Sequence, residues 1–113
     1  MGKYESAIFN CPLDAALQAI GGKWKGIILF HLARGKLRFN QLQKSIGTVT
    51  ERMLIRQLRE LERDKLITRT VYPVVPPKVE YEITEFGQTL IPLLTQLNQW
   101  GRDYMRELEK SRS

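Results

Sequence analysis

The stretch from Thr50 to Asp64, TERMLIRQLRELERD, constrains the fold more than any other part of this 113-residue chain. Leu54, Leu58 and Leu61 recur at i, i+4 and i+7, so in a helix of about 3.6 residues per turn they stack on one apolar stripe. Arg52, Arg56, Arg59 and Arg63 recur at i, i+4, i+7 and i+11 and fall on nearly the opposite side. A helix that buries leucine on one face and aligns guanidinium groups on the other is suited to lie against a polyanion. Duplex nucleic acid is the leading candidate. The plainer reading is a solvated charged face, since Glu51, Glu60 and Glu62 on the flanks can form local pairs of about 0.2–0.5 kcal/mol each.

The neighbouring residues favour the polyanion. Phe39, Leu42 and Ile46 predict a short helix, Gly47-Thr48-Val49 a tight connector, and Thr50 a natural N-cap for the arginine helix. Two short helices joined this way make a helix-turn-helix, here over residues 38–64. After Leu66 the period changes: ITRTVY and VEYEI read as two strands of a hairpin over residues 67–84, with the stiff PVVPPK between them. Lys78 then falls at the hairpin tip, and Tyr72 and Tyr81 are expected to be buried. Arg69 lies between Ile67 and Val71, and the pattern leaves its direction open. A hairpin directly after a helix-turn-helix is a winged helix.

The ends of the chain do something else. Pro12 followed by LDAALQAI predicts a first helix over residues 12–20, and WKGIILFHLA a second, largely buried one. Thr84 is placed to cap a final helix over residues 85–110, kinked near its start by Pro92. Its Leu90, Leu94, Leu97, Tyr104 and Leu108, with Trp100 beside them, form more apolar surface than one small domain readily covers. Pairing with a second copy through this helix and Leu13 and Leu17 of the first helix would bury it; folding back on its own core is the alternative. The expected fold is mainly α with a small β-hairpin: a single winged helix-turn-helix domain over residues 1–113, dimerising through its N- and C-terminal helices.

Charge follows the same division. The net charge is +6, yet Lys23 to Lys78 holds thirteen Lys or Arg against four Asp or Glu, and the two ends hold five against eight. The basic surface is therefore central. No run of 18 apolar residues is present to span a membrane. The N-terminus lacks the apolar core of a secretory signal, and the Met1-Gly2 and Ser6 match to a myristoylation pattern reads as chance. The one cysteine, Cys11, cannot form an internal disulfide and suits a reducing cytoplasm. His31 stands without a Cys/His/Asp cluster, so neither metal nor cofactor is expected. No Walker loop, dinucleotide fingerprint, nucleophile elbow or paired carboxylate motif points to catalysis.

The segments CPLDAALQAIGGKW, RFNQLQKSI, MLIRQLRELERDKLITRTVYPVVPPKVEYEIT and FGQTLIPLL…W, in that order, resemble the HxlR-type family of bacterial winged-helix transcriptional regulators, relatives of the MarR group. The resemblance runs from Cys11 to about Trp100. It implies a cytoplasmic homodimer that binds a palindromic double-stranded DNA operator and alters transcription nearby, with no catalytic residues. It also implies that a cysteine at the position of Cys11 can sense an electrophile or oxidant. Without the resemblance, Cys11 reads as a small apolar residue, although a helix N-terminus generally favours reactive thiolates. Lys3 and Lys23 are candidate cationic neighbours. The family usually has glycine where Lys65 stands and a small polar residue where Ile55 stands.

The expected DNA contacts are Thr48, Thr50, Arg52, Ile55, Arg56 and Arg59 in or entering the major groove, Lys78 and Arg69 on the wing, and Arg38 and Lys44 on phosphates. Ile55 is suited to a thymine methyl group, and arginine can grip guanine O6 and N7 with two hydrogen bonds. A winged-helix module that docks on proteins without specific DNA binding is the alternative. A single-strand or RNA binder would need exposed aromatics on a sheet face.

Overall fold

The computed structural model describes residues 8–112; Gly2, Lys3 and Ser6 lie outside the described residues. Leu54, Leu58 and Leu61 do form one buried stripe, on a helix of thirteen residues, α4 (Glu51–Arg63). Around it the chain runs α1 (Pro12–Ala19), α2 (Trp24–Leu32), β1 (Leu37–Arg38), α3 (Phe39–Ile46), α4, β2 (Ile67–Tyr72), β3 (Lys78–Ile83), α5 (Glu85–Gln88) and α6 (Ile91–Arg112). The core lies where α2, α3 and α4 meet the inner face of the sheet. Ile28, Leu29 and Leu32 of α2 pack with Leu42 of α3, the three leucines of α4, and Leu66, Ile67, Tyr81 and Ile83.

Local chemistry sets the helix ends. Thr50 Oγ1 accepts from the Met53 N–H at 3.2 Å and caps α4. The Arg38 N–H donates to Gln41 Oε1 at 2.9 Å at the start of α3, and Gly47, with φ 93°, closes that helix through its N–H to the Gln43 carbonyl. Lys65 has φ 63°, so this chain adopts the left-handed turn that the family's usual glycine would take more easily, at a cost of about 1 kcal/mol. Thr84 locks the turn in place: its hydroxyl donates to the Lys65 carbonyl at 2.8 Å and accepts from the Gly87 N–H at 2.9 Å.

Three expectations need correction. The sheet has three strands, in the order β1-β3-β2, because Leu37 and Arg38 pair with Tyr81 and Glu80. Second, the last segment is not one kinked helix. Thr84 caps the four-residue α5, the chain turns at Thr89 and Leu90, and α6 begins afresh. Pro92 is its second residue, where its missing N–H has no helical partner to lose, so it opens α6 rather than bending it. Third, Lys78 is the first residue of β3, paired with Tyr72, and the hairpin tip is Pro73 to Pro77. Among the described residues no helix is long and apolar enough to cross a membrane.

Candidate nucleic-acid interface

The arginine face of α4 is open. Arg52, Arg56, Arg59 and Arg63 are all exposed, and Leu54, Leu58 and Leu61 behind them are at most 1% exposed. The four are not equivalent. Arg63 is held by Asp64 at 3.1 Å, which raises its pKa, and Arg56 lies 4.0 Å from Glu60. Thr48 and Lys44 are exposed on the turn and on α3, next to the N-terminal end of α4. Arg38 is exposed on the edge strand β1, opposite Glu80.

Arg69 now has a direction. In the β2–β3 register Ile67 opposes Ile83, Arg69 opposes Tyr81 and Val71 opposes Val79, so Arg69 shares the inner face of the wing with the core residues. It reaches past them into a cleft between the wing and α4. The floor of this cleft is Phe39, Ile55, Leu58, Val79 and Tyr81; Arg59 and Arg69 stand on its rim with Glu51 and Glu62. Ile55 is therefore half-buried in the cleft beside the arginine row. A thymine methyl group would have to approach it from the wing side.

Two carboxylates organise this surface in ways that sequence periodicity did not indicate. Glu60 reads from sequence as a flanking acid, but it bonds Lys25 of α2 at 2.7 Å, and Lys25 is only 9% exposed. The available signal was a lysine inside an otherwise apolar helix. The Lys25 hydrogen bond, with the charges of Lys25, Arg63 and Arg56, holds the Glu60 carboxyl below its ordinary value of 4.5 despite partial desolvation. This pair ties α4 to α2 and offsets the negative charge next to Arg56. A carboxylate with a depressed folded pKa stabilises the fold above its unfolded pKa and loses that contribution as pH falls through the folded value. Wild-type protein should lose thermal stability on acidification from about pH 6 to pH 3, and Glu60→Gln should flatten that slope while lowering the melting temperature at neutral pH, because Lys25 is left buried without its counter-charge. Thermal melts by circular dichroism across that range check this; parallel slopes for the two proteins would remove Glu60 from the account.

The second is Glu80, on the outer face of β3. Lys78 Nζ lies 3.5 Å and Lys36 Nζ 3.7 Å from it, and the Lys78 ammonium also sits 4.9 Å from the centroid of the Tyr72 ring. Hydrogen bonding from Tyr72, then the charges of Lys78 and Lys36, lowers the Glu80 pKa; the same contact raises that of Tyr72. Lys78 is thus engaged within the sheet. Tyr81 is buried as expected, but Tyr72 is only half-buried beneath Lys78.

The predicted pairing residues divide as well. Leu13, Leu17, Leu97, Trp100, Tyr104 and Leu108 are each 42–66% exposed, and Trp100 stacks on Tyr104 with ring centroids 5.1 Å apart. Leu94, in contrast, is buried in the core of its own chain, and Leu90 packs against that core. Both were expected at an interface, but Leu90, in the turn before α6, and Leu94, in its first turn, point inward. Met105, at 67% exposed, extends the open ridge.

Cys11 is exposed, in extended backbone just before α1, with no capping bond from its side chain. Lys23 instead lies 4.7 Å over the Trp24 ring, and Lys3 is outside the described residues. His31 Nδ1 bonds Ser45 Oγ at 2.6 Å, and burial followed by the charge of Arg34 lowers its pKa. Among the described residues no group of His, Cys, Asp and Glu could hold a metal ion.

The HxlR-like helix-turn-helix family model matches residues 19–109. The chain belongs to that family. It is 54% identical over 108 residues to the HTH-type transcriptional regulator YdeP of Bacillus subtilis, covering 95% of this chain and 84% of that protein. An HTH-type transcriptional regulator of Methanothermobacter thermautotrophicus is 50% identical over 103 residues, covering 91% and 79%. Among solved structures, the redox regulator HypR in its reduced form superposes with TM-score 0.83 at 49% identity, over 88% of this chain and 99% of HypR. Its oxidised form gives 0.78 at 52% identity, over 82% and 96%. The molecule is thus a transcriptional regulator of the helix-turn-helix type, with the winged fold of the HxlR and MarR regulators. In this HxlR-like chain the matched span includes α3, α4 and the β2–β3 hairpin.

Proposed function

We propose that this chain binds double-stranded DNA as a homodimer on a palindromic operator, with α4 in the major groove, and that oxidation or alkylation of Cys11 releases it. The observation that carries the DNA reading is the open arginine row of α4, continued by Arg59 and Arg69 across the cleft to the wing. Arg52, Arg56 and Arg59, with Thr48, Thr50 and Ile55, meet the groove; Arg38, Lys44 and Arg69 serve the phosphates, while Lys78 stays with Glu80 and Tyr72. Leu13, Leu17, Leu97, Trp100, Tyr104 and Leu108 join two copies, which presents two recognition helices to a two-fold site.

The sensor reading rests on an exposed thiol and on the likeness to HypR, a redox regulator with reduced and oxidised forms. With one cysteine per chain, oxidation by diamide joins the two Cys11 thiols of a dimer, or one of them to a small thiol, with two electrons and two protons passing to the reagent. With a quinone the Cys11 thiolate instead attacks a ring carbon, and the ring takes up protons to become a hydroquinone joined to Cys11 by a C–S bond.

Recovery of duplexes from a randomised pool, with and without diamide, tests both readings. The recovered sequences should hold an inverted repeat with half-sites about one helical turn apart. Diamide should release wild-type protein and leave Cys11→Ser bound. No enrichment of any duplex would reject the DNA reading in favour of a protein-docking module, and equal release of Cys11→Ser would reject the sensor.

A further inference from the structure

Where α2 ends, a cavity of about 560 Å³ opens between that helix, the turn into β1, and α3. Its volume is within the range of about 300–1,000 Å³ typical of small-molecule sites. The lining has two halves. Phe30 and Leu37, both half-buried, form apolar walls, and His31, Arg34, Lys36 and Ser45 supply the polar groups. No Asp or Glu lines it. Lys36 lies 3.7 Å from Glu80 on the sheet, but Lys78 draws on the same carboxylate at 3.5 Å, so one negative charge serves two ammonium groups. His31 Nδ1 bonds Ser45 Oγ at 2.6 Å, which fixes the ring between α2 and α3. Burial, and then the charge of Arg34, lower the His31 pKa, so the cavity already disfavours a further cation. Positive charge left in excess beside apolar walls is stabilised by a bound anion.

We propose that this cavity binds a small organic carboxylate with a flat apolar body. The Arg34 guanidinium takes both carboxylate oxygens in its planar fork, Lys36 adds a second positive charge, and the body packs on Phe30 and Leu37. A neutral ligand of the same shape would leave both cations uncompensated. The cavity shares no residue with the cleft beside α4 and does not include Cys11, so this site is independent of the DNA and thiol readings.

His31 is the one histidine of the chain, so its ring signals in an NMR spectrum report on this cavity without overlap. Titration of the wild-type protein with benzoate should shift them saturably, with half-saturation on the order of 1 mM. The His31 titration midpoint should rise, because the bound anion offsets Arg34. Benzamide keeps the ring without the charge, and acetate keeps the charge without the ring; each should bind about 10-fold more weakly or worse. Arg34→Gln should weaken benzoate binding about 10- to 100-fold. Arg34 is exposed, so this variant should fold as wild type does, and its circular dichroism melt verifies this. The site is overturned by the absence of a saturable shift with benzoate, by equal binding of benzamide or acetate, or by undiminished binding to Arg34→Gln. A salt slope of duplex binding shallower by about 0.9 in Arg34→Gln also overturns it, since this arginine would then hold a DNA phosphate.

Discussion

Arg56→Ala is expected to cut the preference for a recovered operator over random duplex by about 10- to 100-fold while leaving the fold intact. The side chain is at the centre of the exposed row on α4, 73% open, and among the described residues its ion-pair contact is the Glu60 carboxylate at 4.0 Å. Exposed pairs of this kind contribute about 0–1 kcal/mol, and Glu60 keeps its much closer bond to Lys25. Stability should therefore change little. Specificity should change much more, because a guanidinium that grips guanine O6 and N7 supplies about 1–3 kcal/mol of discrimination per base pair. Arg63→Ala is the matched control. That arginine is on the same face but is the last residue of α4, tied to Asp64, so its loss should lower affinity modestly for all sequences alike. Competition binding against random duplex separates the two outcomes. An unchanged ratio for Arg56→Ala would mean that this arginine holds a phosphate and that another residue of α4 reads the bases.

The legibility of this surface in the sequence varied with the range of the interaction concerned. The two faces of α4 were readable because helical periodicity is local: leucines every three or four residues must share a side whatever they pack against. Thr50 and Thr84 were readable as caps for the same reason. What the sequence did not reveal depends on contacts between distant segments. Lys25 and Glu60 are on different helices, and no pattern within either one shows that they meet. β1 is two residues long and exists only because Leu37 and Arg38 find the free edge of β3. Arg69 looked out of place in an alternating strand until the register put it opposite Tyr81, at the point where the wing stops covering the core and becomes the wall of a cleft. Lys78 follows directly on the PVVPP run, so its position in the sequence suggests the tip; the Tyr72 pairing draws it into the strand and leaves the prolines and valines outermost. Leu94 fits the same spacing as Leu97 and Leu108, but an apolar stripe does not state which part of its length its own core will take.

That division of α6 leads to the largest expected effect. Its 22 residues span about 33 Å, of which the start is anchored through Ile91 and Leu94 and the rest carries Leu97, Trp100, Tyr104, Met105 and Leu108 in the open. Leu13 and Leu17 of α1 are open as well, at 66% and 55%. The double substitution Leu97→Glu with Trp100→Glu should convert a dimer of about twice 13.2 kDa into a monomer by sedimentation equilibrium, because two carboxylates per chain would be buried without partners at the seam. Both positions are about half exposed or more in the single chain, so each protomer should keep its helices and its core. DNA binding should fall much further than for any groove substitution, by about 10²–10⁴-fold at dilute protein, because the second half-site is no longer reached at the high effective concentration that a paired molecule provides. Binding should recover when two copies of the variant are joined through a separate dimerisation tag at the end of α6. A variant that sediments as a dimer would show that another surface joins the copies. A monomer that binds the operator as tightly as wild type would show that a single recognition helix and wing suffice.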